Sequence, residues 1–108
     1  MKDHRPFDSS CPIGRFADIL GDRCALMIMR DLFQDGDRTF SQLRVRERGF
    51  SPNTLSQRLK NLEAAGLIEM VRYQDHPPRF LYRLTANGRY LGPVYQAIFD
   101  WGSATIKG

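Results

Sequence analysis

The chain has 108 residues, 42% hydrophobic and 26% charged, with a formal net charge of +4. That length supports one domain with a modest core and excludes two; the composition excludes a disordered tail. No apolar run approaches the roughly 20 residues of a membrane span, and two cysteines in positions 11 and 24 do not make a secreted disulfide framework.

Met1–Ser10 is polar and charged, unlike a signal peptide. The expectation is a cytoplasmic protein with a flexible arm over residues 1–10 and one domain over residues 11–108. Cys11-Pro12 opens a first helix, with proline in the first turn and Ile13, Phe16, Ala17, Ile19 and Leu20 as its buried face. Gly21-Asp22 breaks it. A second helix, about Arg23 to Phe33, is apolar nearly all round and belongs in the middle of the domain. Gln34 to Asp37 is a polar turn, and Arg38-Thr39-Phe40 is short and strand-like. Ser41 is expected to cap a brief helix through Arg48, held inward by Phe40, Leu43 and Val45, with Gly49-Phe50 as the connection onward.

The stretch from Ser51 to Leu67 carries its own start and stop signals. Ser51 can accept a hydrogen bond from a first-turn amide, and Pro52 suits the first helical position, where a missing N–H costs nothing. Gly66 can take the left-handed conformation that ends a helix in a Schellman motif, bringing Leu67 against Leu62. Leu55, Leu59 and Leu62 form one apolar stripe. The opposite face offers amides, hydroxyls and bases, the side chains that read base edges and hold phosphates. Two short helices joined by a glycine-containing turn, the second bearing such a face, make a helix-turn-helix.

Beyond Gly66 the period changes. Leu67–Tyr73 and Phe80–Leu84 read as antiparallel strands, and Gln74–Arg79 between them as a loop, because Pro77 and Pro78 lack donors. A hairpin after a recognition helix is the wing of a winged helix. Thr85 caps a last helix to about Ser103, with Leu91, Val94, Tyr95, Ile98 and Trp101 at helical spacing. Phe99 and Tyr90 lie off that stripe, more aromatic surface than a small monomer covers, which suggests a partner helix. The fold class is α+β, mostly helical: a winged helix-turn-helix with N- and C-terminal dimerisation helices.

From Arg38 to Lys60 six basic residues face one acid, Glu47, for a net +5, so the whole formal excess of +4 sits around the candidate reading helix. Localised positive charge is the footprint of a polyanion partner. The candidate DNA contacts are Arg38, Arg44, Ser51, Pro52, Asn53, Thr54, Ser56, Gln57, Arg58 and Lys60, with His76 and Arg79 from the wing. His76 also reads as a plain solvent-exposed loop histidine. Catalysis finds no support: the two histidines lie in an arm and a loop tip, and there is no zinc-type Cys/His spacing and no phosphate-binding glycine loop. No cofactor or metal is expected. The alternative is a winged helix that binds protein or RNA without operator recognition, though stacking aromatics on an open sheet are absent.

Several runs resemble the HxlR-type regulators, relatives of the MarR group. They are Cys11-Pro12, Gly21-Asp22-Arg23 leading into Leu26–Leu32, Arg38–Leu43, Ser51-Pro52-Asn53-Thr54-Leu55-Ser56-Gln57-Arg58-Leu59, Pro77-Pro78-Arg79 with Tyr82, and Leu84–Gly88. The resemblance covers about residues 11 to 102. It implies a bacterial transcription factor that binds near-palindromic operator DNA as a homodimer through its terminal helices, here Ile13, Phe16, Leu91, Tyr95, Ile98, Phe99 and Trp101. It also implies sensing of a small electrophile or oxidant by an N-terminal cysteine, at the position of Cys11. Cys24 stands where tryptophan is common, and Glu47-Arg48 replaces an apolar-proline pair, which should anchor the preceding helix less well. A cysteine at a helix N-terminus can favour its thiolate, and Cys11 has that placement; its other reading is a buried structural thiol. Cys24, within an apolar helix, reads as inert packing.

Overall fold

The computed structural model describes residues 10–106, so the arm expected over residues 1–10 lies, apart from Ser10, outside the described residues. Its elements are α1 Pro12–Leu20, α2 Arg23–Asp35, α3 Phe40–Arg46, α4 Pro52–Ala64, β1 Ile68–Asp75, β2 Pro78–Leu84, α5 Ala86–Arg89 and α6 Gly92–Thr105.

Short polar side chains set most helix starts by accepting an otherwise unpaired amide. Asp22 accepts from Ala25 N at 2.9 Å, Ser51 from Thr54 N at 3.0 Å and Thr85 from Gly88 N at 3.0 Å. Thr39, not Ser41, caps α3. Its hydroxyl accepts from Gln42 N at 3.1 Å while Gln42 Oε1 accepts from Thr39 N at 2.9 Å, a reciprocal pair that Ser41 has no partner to build. At the end of α4, Leu67 N donates to Leu62 O at 3.1 Å and Gly66 N to Glu63 O at 2.9 Å, with Gly66 at φ 78°. This is the Schellman stop the sequence predicts, and Leu67 and Ile68 turn inward from it.

The core lies where α2 meets the helix-turn-helix. Cys24, Ala25, Ile28, Met29 and Leu32 of α2 pack with Leu43, Leu55, Leu59, Leu62, Leu67 and Ile68. Three expected inward residues point out instead: Val45 is 69% exposed, Ile13 78%, and Ala17 is exposed as well. On α3 the inward position falls to Glu47, the helix C-cap, which is 6% exposed and accepts from Arg30 Nη2 at 2.9 Å. The expectation that Glu47 weakens the anchoring of α3 is therefore corrected, because an ion pair to α2 takes the place of an apolar contact.

The hairpin is longer than the sequence suggests. Ile68 pairs with Leu84 and Arg72 with Phe80; then, past a bulge at Tyr73, Gln74 pairs with Arg79 and Asp75 with Pro78. Only His76 and Pro77 lie between the strands, joined by a cis peptide. The expected six-residue loop disappears because a proline at the first residue of a strand has no ladder N–H to supply. Gln74 Nε2 closes the turn on Pro77 O at 3.1 Å. The strand-like Arg38–Phe40 reduces to one residue: Arg38 exchanges two backbone bonds with Tyr82, at 3.0 and 2.7 Å, before Thr39 starts α3.

The expected single last helix is two. α5 ends at Arg89 and α6 begins at Gly92, since Pro93 has no N–H to return to Arg89 and its ring clashes with a continuing helix. Among the described residues, none of α6 is fully buried, and Tyr95 is half-buried.

Candidate nucleic-acid interface

α4 sits on the core through Leu55, Leu59 and Leu62, each no more than 1% exposed, and this fixes which face points away. Asn53, Gln57, Lys60 and Asn61 occupy the outward side. Gln57 Nε2 donates to Asn61 Oδ1 at 3.1 Å, so the two amides form one laced pair a turn apart. Asn61 is absent from the sequence-based set; its i+4 spacing from Gln57 was the available signal. Ser51 is exposed but committed to the cap, its Oγ also donating to Thr54 Oγ1 at 3.0 Å. Pro52 is exposed in the first turn, and Thr54 and Ser56 are half-buried on the flanks.

The cations divide in two. Arg58, three residues past Leu55, falls on the flank of the apolar stripe and bonds Asp22 Oδ2 through Nε at 2.9 Å. That hydrogen bond holds the Asp22 carboxyl below its ordinary range. Arg38 donates from Nη2 to Asp35 O at 2.9 Å, with Nε buried. Arg46 pairs with Asp35 at 2.8 Å and lies 3.8 Å from Asp31. Three of the six basic residues around α4 therefore brace the fold. Arg44, Arg48 and Lys60 are exposed and, among the described residues, in no salt bridge, although Arg48 Nη1 donates a long bond to Val45 O at 3.4 Å. Arg48 is a further residue missing from the sequence-based set. His76 and Arg79 are exposed at the hairpin tip, while Arg72 stacks 5.4 Å from the Phe80 ring centroid. Chemically, the surface offers three amides, Asn53, Gln57 and Asn61, that can meet a base edge and a margin of exposed cations for phosphates.

A second surface lies away from α4. α1, α2 and α6 enclose an apolar groove of about 370 Å³ lined by residues that include Phe16, Leu91, Tyr95, Ile98 and Phe99. Phe33 stacks on Tyr95 at 5.0 Å between centroids and Tyr95 meets Phe99 at 6.3 Å. Around it Ile13, Ile98, Phe99 and Trp101 are exposed, Trp101 to 71%, and Tyr90, at 83%, adds to the same apolar excess.

Cys11 is exposed and its Sγ accepts from Gly14 N at 3.3 Å. Cys24 is buried, and burial pushes its thiol up to about 11, with the charges of Asp22 and Glu47 adding to the effect. No group of three or more His, Cys, Asp or Glu that could hold a metal occurs among the described residues, and no helix there is long and apolar enough to cross a membrane.

Residues 19–108 match the family described as HxlR-like helix-turn-helix. An uncharacterized HTH-type transcriptional regulator of Synechocystis sp. is 40% identical over 97 residues, 90% of this chain and 71% of that one. Another, of Mycobacterium tuberculosis, is 40% identical over 90 residues, 83% of this chain but 56% of its own length, so this chain spans little more than half of that relative. Among solved structures, the redox regulator HypR in its oxidized form is similar with a TM-score of 0.81 and 26% identity, over 91% of this chain and 100% of that one.

Proposed function

This chain belongs to the HxlR-like helix-turn-helix family of transcriptional regulators, and we propose that it binds near-palindromic operator DNA as a homodimer in the cytoplasm. In this reading α4 enters the major groove and the hairpin tip, with His76 and Arg79, lies against the backbone or minor groove. The observation that carries it is the outward face of α4, where the amides of Asn53, Gln57 and Asn61 stand beside Arg44, Arg48 and Lys60 with no salt bridge among the described residues. Amides pair best with adenine, and exposed guanidinium and ammonium groups hold phosphates. Arg38 and Arg58, bonded internally, act by holding α4 in place.

The occupant proposed for the apolar face of α1 and α6 is a second copy of the chain. An α6 with no fully buried residue, whose Ile98, Phe99 and Trp101 are exposed as is Ile13 of α1, supports this. Two-fold symmetry would set two α4 helices about one DNA turn apart. Selection of duplexes from a random pool provides the test: Gln57→Ala should still bind but with relaxed base preference. A Gln57→Ala protein as selective as the parent would show that α4 does not read bases, and failure to retain any duplex would favour a protein- or RNA-binding role.

Sensing of an oxidant or electrophile is assigned to Cys11. HypR is a redox regulator by name, and Cys11 is exposed at the start of α1, on the helix that borders the proposed dimer face. A group added there can shift one subunit against the other and alter the spacing of the two reading helices. Native protein should alkylate at Cys11 and, because Cys24 is 1% exposed with its thiol raised to about 11, at Cys24 only after unfolding. Oxidant should lower operator affinity in the parent and leave Cys11→Ser unchanged; an equal response in both would make Cys11 structural.

A further inference from the structure

The end of α3 is tied to α2 through a buried acidic pair that takes no part in the proposed DNA contacts. Asp31 is 1% exposed and Glu47 6%. Arg30 Nη2 bonds both, Asp31 Oδ1 at 3.1 Å and Glu47 Oε2 at 2.9 Å, so the two carboxyls meet on one guanidinium nitrogen. Asp31 Oδ2 is buried and receives a hydrogen bond from no donor. The charged groups around the pair are Arg30 and Asp35 on α2 and Arg46 on α3, with the Cys24 thiol of α2 in the field of Glu47. Arg46 is drawn to Asp35, 2.8 Å away, rather than to Asp31 at 3.8 Å. Arg46 and Asp35 are partly exposed and offset each other, so two buried carboxyls are left sharing the one guanidinium of Arg30, one negative charge too many where burial makes an uncompensated charge costly.

We propose that Asp31 and Glu47 share one proton, that this proton holds the end of α3 against α2, and that its release loosens the α3–α4 turn and weakens DNA binding. The inference rests on the DNA-binding reading above. One carboxyl donates its O–H to the other; on release the proton passes to water and leaves two carboxylates in contact, which repel. Glu47 is placed to transmit this. It caps α3, its amide donates to Leu43 O at 2.8 Å, and its carbonyl accepts from Phe50 N at 3.0 Å, one residue before the α4 cap. Asp31 and Glu47 are therefore positioning residues. Burial, then the hydrogen bond and charge of Glu47, raise the Asp31 carboxyl from 3.8 to about 7, which puts release of the proton near neutral pH.

An unfolded aspartate loses its proton near pH 4, whereas the folded pair keeps one to about pH 7, so this group's contribution to stability is full below about pH 4 and is lost as pH rises through about 7. If the deprotonated form is the weaker binder, affinity should fall up to about tenfold between pH 6 and 8, as one proton linked to binding requires.

The experiment measures affinity from pH 6 to 8 at constant ionic strength for a duplex selected from a random pool with the parent at pH 6. Glu47→Gln keeps the shape and donates an N–H to Asp31 at every pH, so its affinity should change about tenfold less than the parent's over this range. Both proteins carry the same histidines, whose contribution cancels in the ratio. Infrared spectra should show a protonated-carboxyl band in the parent at pH 6 that is gone at pH 8 and is absent from Glu47→Gln at both. Asp31→Asn serves the same comparison should Glu47→Gln fail to fold, and the parent's infrared band needs no variant. Parallel pH profiles, or no such band in the parent, overturn the proposal. If the parent retains no duplex at any pH, the DNA-binding reading falls and this inference with it; if duplexes bind with equal slopes, only the shared proton falls.

Discussion

Leu62→Ala is expected to cost about 2–5 kcal/mol of folding stability, a large part of the roughly 5–15 kcal/mol that holds a domain of this size together. Leu62 is fully buried, in the seam between α4, α2 and the base of the hairpin. Its carbonyl also accepts Leu67 N in the turn that ends α4. Truncation removes transfer energy and leaves a cavity that the packed helices and hairpin around it cannot close. Urea unfolding of the variant should show a lower midpoint with an unchanged slope. The contrast is Trp101→Ala. Because Trp101 is 71% exposed in the chain by itself, its loss should leave the unfolding midpoint of dilute protein nearly unchanged while light scattering at micromolar concentration moves toward the monomer mass. A large drop in monomer stability from Trp101→Ala, with the mass unchanged, would remove the dimer face proposed for α6.

DNA affinity should fall by about four orders of magnitude between 50 and 200 mM salt. In the dimer reading each copy presents Arg44, Arg48, Lys60 and Arg79; eight phosphate contacts correspond to a log–log slope near −7. Lys60→Ala should weaken binding to every sequence about equally and flatten that slope by about two units, one for the phosphate that each copy no longer neutralises. Arg58→Ala distinguishes the assignment. Arg58 is bonded to Asp22 at 2.9 Å, so removing it should leave the slope nearly as it was. Were Arg58→Ala to flatten the slope as much as Lys60→Ala, the Asp22 bond would not survive on DNA and Arg58 would be a phosphate contact.

The residues alone determine much of this protein: the apolar stripe of Leu55, Leu59 and Leu62, the Ser51 and Thr85 starts, the Gly66 stop and the strand period beyond it. These are local rules, a helical repeat of 3.6 residues, a short polar cap and a glycine able to take positive φ, and each is satisfied within a few residues of chain. Where two local rules compete, the sequence is ambiguous: Thr39 prevails over Ser41 through its reciprocal pair with Gln42, and Pro93 divides what reads as one helix. Charge is the part only the tertiary structure decides. Arg38, Arg46 and Arg58 look like Arg44 and Lys60 in sequence, but Arg38 turns back onto the Asp35 carbonyl three residues earlier, while Arg46 and Arg58 reach Asp35 and Asp22, 11 and 36 residues away, which the packing of α2 brings beside them. Glu47 faces inward for the same reason: the turn after α3 lies against Arg30 and Asp31, a contact seventeen residues away in sequence that no periodicity encodes.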